Sequence, residues 1–188
     1  MKVMKAFNRR RVVTTGAILV AAAAAMVTLP SVTASAKSSG IDAARAATKQ
    51  YHQLSVAKAD GYKLFKDANG FACISQPGTG TMGIHYVNGT LVGNANEAIR
   101  HPEAVIYEPE KNGSMQLVAL EYVVLQSAWH QAGHKGAPVL FGKKFMFNPA
   151  PNRFGLPPFY SLHAWVWRQN PSGTFQPWNP QVSCHGHG

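Results

Sequence analysis

The pattern of apolar and polar positions along the chain predicts one helix followed by a series of strands. Apolar residues recur at spacings of three and four from Ile41 to Leu54, which is the period of a helix with one buried face. Ser39 is a candidate cap for this helix, and Asp60-Gly61 ends it. Farther along, short apolar runs alternate with turn residues. The sequence therefore predicts an α+β fold, with an N-terminal helix packed on a mostly antiparallel sheet or partial β-barrel.

Four apolar runs are the strongest strand candidates. They span Met82 to Asn88, Ala104 to Glu108, Met115 to Leu125 and Phe159 to Arg168. After the first run, Asn88-Gly89 is typical of a hairpin turn. A two-residue turn at Asn112-Gly113 would join the second run to the third and place Ala104 opposite Glu121.

The first 36 residues have the three regions of a secretory signal peptide in the required order. A basic leader ends at Arg11, an apolar stretch follows to Leu29, and small residues precede a cleavage site near Ala36. We expect residues 37–188 to form a single secreted or periplasmic domain with no membrane span and a flexible His-Gly tail. An uncleaved anchor is the alternative, but polar residues dilute its apolar stretch. Arg9-Arg10 also fits a loose twin-arginine signal, so the export route stays open.

The charge of the chain does not point to a nucleic-acid partner. The chain has 18 basic and 8 acidic residues, a formal net charge of +10, but five of the basic residues lie in the first eleven. Removal of the leader leaves 13 basic and 8 acidic residues, a net charge of +5, with no basic cluster longer than Lys143-Lys144. DNA and RNA binding therefore lose their electrostatic basis.

The two cysteines of the chain, Cys73 and Cys184, predict one disulfide. An even number of cysteines and an oxidising compartment favour a bridge over a catalytic or metal-bound pair of thiols. This bridge would close a loop of more than a hundred residues and would contribute roughly 3–5 kcal/mol in the chain-entropy model.

Three polar residues lie in the middle of apolar strand candidates. Glu121 is flanked by apolar residues on both faces of its strand, so it is expected to be buried and must be protonated, paired or metal-bound. His85 and His163 have the same setting. Two histidines and one carboxylate are a ligand set for Fe(II), Zn or Cu. The sequence therefore predicts a site for a divalent transition metal if three neighbouring strands bring the residues together.

The same three residues are compatible with other functions. They could hold a small ligand in a pocket lined by Tyr86, Trp165 and Trp167, because alternation along residues 159–168 puts both tryptophans on the face of His163. They could serve a metal-dependent or acid/base enzyme in which Glu121 is the base. They could also form a buried network with structural value only.

A further alternative is a structural or interaction module of the cell envelope, and it would need no site at all. It predicts a closed core and a contact surface of exposed aromatic residues. The candidates for that surface are Trp129, Trp165, Trp167 and Trp178.

The remaining histidines give weaker signals. His185 and His187 alternate with glycine at the C-terminus, and a flexible backbone with two imidazoles is a minor candidate for Cu or Ni. His130 and His134 have the spacing of a helical metal pair, but no glutamate follows His130, so the zinc-protease motif is missing. No Gly-x-Ser-x-Gly motif indicates a serine nucleophile.

Several segments form a pattern when they are taken together. They are Met82-Gly83-Ile84-His85-Tyr86-Val87-Asn88, then Glu121-Tyr122-Val123-Val124, then Leu162 to Cys184 with its two Asn-Pro pairs. This combination resembles an uncharacterised family of small secreted bacterial proteins and covers about Tyr51 to Cys184. The resemblance implies a secreted bacterial origin but no particular activity. The ligand, catalysis and oligomeric state stay open.

Overall fold

Three helical segments precede the sheet in the described part of the chain. The computed structural model describes residues 32–185, with side chains from residue 38 onward. The segments are α1 (Val32–Thr48), a 3-10 helix (Lys49–His52) and α2 (Leu54–Ala59). Ser39 lies inside α1, so its prediction as a cap is wrong. Most of the predicted signal peptide, residues 1–31, lies outside the described residues. Within residues 32–185, no helix is both long and apolar enough to cross a membrane.

Seven strands form one open, antiparallel sheet, which confirms the predicted α+β class. The strands are β1 (Lys63–Leu64), β2 (Cys73–Gln76), β3 (Gly80–Val87), β4 (Ala104–Pro109), β5 (Met115–Leu125), β8 (Met146–Asn148) and β9 (Phe159–Ala164). Along the sheet the order is β1-β3-β4-β5-β9-β8, and β2 also pairs with β3. A separate hairpin pairs β6 (Val139–Leu140) with β7 (Lys143–Lys144).

Two short helices connect strands, α3 (Gly89–Val92) and α4 (Gln126–Gln131). The hairpin predicted at Asn88-Gly89 is therefore wrong. The Asn88 side chain instead accepts a hydrogen bond from the Thr90 backbone N–H at 3.1 Å and caps α3. This capping competes with the turn geometry because asparagine suits both positions.

The predicted pairing of Ala104 with Glu121 is confirmed, although the turn differs from the prediction. Beside the turn, Pro109 faces Met115, and the loop between them is longer than two residues. A register shift between Ile106 and Tyr107 then compensates for the longer loop. This bulge restores the predicted register at the far end of the strand pair.

The strand predicted for residues 159–168 is too long. β9 ends at Ala164, where the Trp165 N–H donates to the Thr174 carbonyl at 2.9 Å. The N–H groups of Trp167 and Arg168 then donate to the carbonyl of Val118 in β5. Regular pairing therefore stops at Ala164 although the chain still contacts β5, and the alternation of faces continues to Trp165 but not to Trp167.

The two faces of the sheet have different coverings. One face packs with the helical segments in the main core, where buried tyrosines donate to backbone carbonyls, as Tyr107 does to Tyr51 at 2.6 Å and Tyr122 to Ile99 at 2.8 Å. The other face carries a smaller apolar cluster of Ile106, Val118, Ala119, Trp165 and Val182.

The predicted disulfide is present. Cys73 in β2 is bonded to Cys184, across a sequence separation of 111 residues. It fixes the C-terminal segment to the edge of the sheet. The Ser183 N–H also donates to the buried Glu108 carboxylate at 3.0 Å and holds this segment in place.

Candidate metal centre

The smaller-cluster face of the sheet brings together His85, Glu121 and His163. Glu121 and His163 are direct partners across β5 and β9, while His85 lies on β3, beyond the intervening strand β4. Ala104 on β4 lies opposite Glu121, and its small side chain leaves room for His85 to reach across. His85 Nε2 is 3.1 Å from Glu121 Oε2. One ligand atom from each of the three residues lies within 4.8 Å of the others.

The imidazole nitrogens at this cluster are buried and unpartnered. His85 and His163 are each 3% exposed, and none of their four ring nitrogens has a hydrogen-bond partner in the described part of the chain. His85 Nε2 nevertheless lies at ion-pair distance from the Glu121 carboxylate, and this contact contributes to the lowered pKa of Glu121. Each buried polar group left without a hydrogen bond costs about 1–3 kcal/mol. One nitrogen of each ring lies near the Glu121 carboxylate, and buried polar groups left without hydrogen bonds fit a site that binds a ligand.

The electrostatics give Glu121 and His163 the protonation states that a metal requires. Burial would raise the pKa of the Glu121 carboxyl, but the contact with His85 and the charges of both histidines outweigh it, so this pKa is lowered. Burial lowers the pKa of His163 to about 4, against the opposing effect of Glu121. At neutral pH an ionised carboxylate therefore faces a neutral imidazole, which is the form in which both residue types bind metals.

A hydrogen-bonded pair supports Glu121 from the edge of the sheet. The Ser161 hydroxyl on β9 accepts from the Asn148 amide on β8 at 3.2 Å, and its interaction with Glu121 helps to lower the pKa of that carboxyl. The Trp165 ring packs beside the His163 ring, with the ring centroids 4.7 Å apart. Such neighbours orient the ligands of metal sites.

Two cavities reach the cluster and have Glu121 in common. The larger, of about 230 Å³, has His85 and Glu121 in its lining. The smaller, of about 120 Å³, has Glu121, Ser161 and His163 in its lining. Glu121 lines both cavities, so an ion at the cluster would have room for further ligands.

The predicted ligand pocket of Tyr86, Trp165 and Trp167 is not formed. Tyr86 lies on the other face of the sheet, with its ring 5.5 Å from that of Tyr107. The indole N–H of Trp167 donates to the Thr48 hydroxyl at 3.2 Å, because β9 ends before this residue. Only Trp165 stays beside His163.

Local sequence patterns did not predict which residues line the larger cavity. Phe154 and Leu156 contribute to it from the loop between β8 and β9. An irregular loop has no hydrophobic period, so neither residue gave a signal.

The other predicted features stand apart from this cluster. His185 is exposed, and its predicted partner His187 lies outside the described residues. His134 stacks on Trp129, with ring centroids 3.7 Å apart. Trp165 is buried and the other three tryptophans are half-buried, so these four residues do not form the exposed contact surface expected for an interaction module, although Phe71 and Phe147 are exposed elsewhere.

Comparison with protein-family models, with curated proteins and with solved structures finds no match to this chain. Two imidazoles and one carboxylate on a rigid sheet provide three ligands and leave coordination positions open. Such a set can hold a metal that binds or activates a further molecule.

Proposed function

We propose that the protein binds one divalent transition metal, Zn, Cu or Fe(II), through His85, Glu121 and His163. The observation that carries this proposal is the convergence of an ionised carboxylate with buried imidazole nitrogens that have no hydrogen-bond partner. A metal ion accepts a lone pair from each ring and compensates the buried negative charge. It therefore removes both of the costs that burial of this cluster creates.

A purely structural network explains the cluster less well. Buried polar side chains in such networks are hydrogen-bonded to one another, because an unsatisfied member costs more than an apolar replacement. Here both histidines have unpartnered ring nitrogens in the described part of the chain, although Glu121 is within reach of His85. The contact between His85 and Glu121 therefore does not satisfy all the buried nitrogens of the cluster, which favours a bound ion over a closed network.

The ligand types favour a borderline metal. The ligand set contains nitrogen and oxygen but no thiolate, since both cysteines are in the disulfide. Separations of up to 4.8 Å are wider than the about 3.3 Å between two ligand atoms on one tetrahedral zinc ion. Small rotations of the imidazole rings would therefore close the site on the ion.

We also propose that the protein acts outside the cytoplasm, as its resemblance to secreted bacterial proteins implies. The disulfide between Cys73 and Cys184 supports this location, because such bridges persist in oxidising compartments. Histidine and carboxylate ligands remain usable there, whereas free thiols would be oxidised.

Calorimetric titration of the full chain with Zn²⁺ tests the metal site. We expect one ion per chain, and a loss of affinity of at least about 100-fold in each of Glu121→Gln, His85→Gln and His163→Gln, because each variant removes one of three ligands. These substitutions preserve side-chain size well enough to limit damage to the fold. Elemental analysis of the purified protein would then identify the resident metal.

Two matched variants and one truncation serve as controls. Glu103→Gln changes another buried carboxyl of the same molecule, and His101→Gln changes an exposed histidine. Both should bind Zn²⁺ like the wild type, as should a chain that ends at Cys184. Binding that disappears only with the C-terminal tail, or that survives all three ligand substitutions, would refute the proposal.

A further inference from the structure

The larger cavity beside the cluster has a polar end and an apolar body. It measures about 230 Å³, and the only polar side chains in its described lining are those of His85 and Glu121. The rest of the lining is aliphatic or aromatic and comes from separate segments, including Phe65, Val92, Val123, Phe154, Leu156 and Phe159. A site with this division suits a molecule that has one polar group and an apolar body.

The cavity wall is held in place by buried polar contacts. The Arg153 guanidinium donates to the Asp67 carboxylate at 2.9 Å, and the Asp67 side chain is fully buried. The Asn152 side chain accepts from the N–H groups of Phe154 and Leu156 at 3.1 and 3.3 Å. The loop that carries two of the lining residues is therefore fixed before any ligand arrives.

Aromatic contacts add to this order. The Phe154 ring lies 6.4 Å from that of Phe65 and 5.7 Å from that of Phe159, so three lining residues pack as a group. A wall fixed in advance lowers the entropic cost of binding. The cavity is thus a formed pocket rather than a gap between mobile loops.

The volume sets the size of the ligand. An engineered apolar cavity of about 150 Å³ binds benzene. The cavity described here is larger, and it has room for a single ring with a short substituent or for a chain of about eight carbons.

The charge at the polar end sets the type of head group. A divalent ion with one carboxylate and two neutral imidazoles keeps a net positive charge, and three protein ligands leave a coordination position open. An anionic oxygen would both fill that position and neutralise the charge. A second charge on the ligand would have to lie against the apolar wall, which is unfavourable.

We propose that this pocket binds an apolar monocarboxylate, with its carboxylate on the metal held by His85, Glu121 and His163 and its apolar body among Phe65, Phe154 and Leu156. This inference rests on the proposed metal site. It goes beyond that site because it assigns the class of molecule that the metal recognises.

Calorimetry with benzoate and octanoate on the Zn²⁺-loaded full chain tests the inference. We expect saturable binding of at least one probe to the Zn²⁺-loaded chain. The probe should bind at least about tenfold more weakly to metal-free protein, which lacks the metal. Acetate, which lacks the apolar body, and the matching alcohol, which lacks the charge, should also bind the loaded chain at least about tenfold more weakly than the probe. Val92→Trp and Leu156→Trp should abolish probe binding without loss of Zn²⁺ binding. The control Val139→Trp alters an exposed residue outside the cavity, and it should change neither probe binding nor Zn²⁺ binding.

The outcomes separate the two proposals. If Zn²⁺ does not bind at the cluster, the metal site and this inference both fail. If Zn²⁺ binds but neither probe does so at millimolar concentration, only the inference is overturned. Probe binding that is equal with and without metal, or that survives both tryptophan substitutions, would also overturn it.

Discussion

At the scale of single residues, two buried carboxyl groups have opposite acidities. Glu103 is 1% exposed, and burial together with the charge of Glu97 raises its pKa to about 8, although the Val123 N–H donates to it at 3.0 Å. Glu121 is also buried, but its pKa is lowered because two histidines surround it. Glu103 therefore holds a proton at neutral pH, whereas Glu121 is ready to bind a cation.

Glu103→Gln should change how stability depends on pH. The folded pKa of Glu103, about 8, lies above the unfolded value of about 4.3. The contribution of this carboxyl group to stability is therefore present below the unfolded pKa and is lost as pH rises through the folded pKa. Between about pH 5 and pH 9, the free energy of unfolding of the wild type should fall by on the order of a few kcal/mol relative to that of Glu103→Gln. Urea denaturation at several pH values measures this difference.

Comparison with the variant cancels the effect of His163, whose lowered pKa acts in the opposite direction and weakens the fold as pH falls. Glu110→Gln, at the turn between β4 and β5, is the control. Its difference from the wild type in free energy of unfolding should stay constant across this pH range. A constant difference for Glu103→Gln as well would contradict the buried protonated carboxyl.

The sequence predicted the cluster residues because isolated polar side chains in apolar strands stand out. Glu121, His85 and His163 each interrupt such a run. Glu103 gave no comparable signal, since it lies just before its strand and follows Pro102. Its burial depends on packing between distant segments, which no local pattern contains.

At the scale of elements, the approach of β3 to β4 determines where His85 lies. Gly83 has a φ of +106°, and a Cβ there would be 2.8 Å from the Tyr107 carbonyl oxygen. Because only glycine fits this approach, β3 can lie close to β4 two residues before His85. The local geometry thus brings the first histidine within reach of a residue two strands away.

Gly83→Ala should therefore destabilise the protein by more than a change of backbone conformation alone. Gly113 has a φ of +82°, but a Cβ there would have nothing within 4 Å, so Gly113→Ala isolates the conformational cost, about 1 kcal/mol. We expect Gly83→Ala to cost at least about 2 kcal/mol, since the side chain meets backbone. Chemical denaturation of both variants makes the comparison, and equal losses would show that the close approach is unimportant.

The register of β4 and β5 was predicted correctly near Glu121, although the turn that joins the two strands was not. The predicted two-residue turn is wrong, yet Ala104 faces Glu121 because a bulge offsets the longer loop. Alternation of apolar residues constrains the register near Glu121 more strongly than the turn does, since a slip of one residue would reverse every buried face. The end of β9 had no such constraint, and there the prediction failed.

At the scale of the whole molecule, the order of strands decides whether the three residues meet. The sequence predicted the α+β class and most strands, but not that β4 separates β3 from β5. A pairing of β3 directly with β5 would have satisfied the same apolar pattern. The small side chain of Ala104 on the middle strand is what makes the observed order compatible with a shared site.

The disulfide links the edge of this sheet to the C-terminal segment. Trp165 and Val182 pack on the same face of the sheet as the cluster, and Glu108 holds this segment through the Ser183 N–H and, at 3.8 Å, Arg168. Because the bridge spans 111 residues, the chain-entropy model assigns it about 4–5 kcal/mol. Replacement of both cysteines by serine should lower the free energy of unfolding by that amount, measured by urea denaturation.

The same double variant separates global stability from the site. The metal ligands lie on β3, β5 and β9, whereas the bridge joins β2 to the chain terminus, so Zn²⁺ affinity should stay within about threefold of wild type under conditions where the variant is folded. Zn²⁺ should also raise its unfolding temperature, because the ion binds the folded state. A variant that is folded by circular dichroism but no longer binds Zn²⁺ would show instead that the C-terminal segment, through Trp165 beside His163, holds the site together.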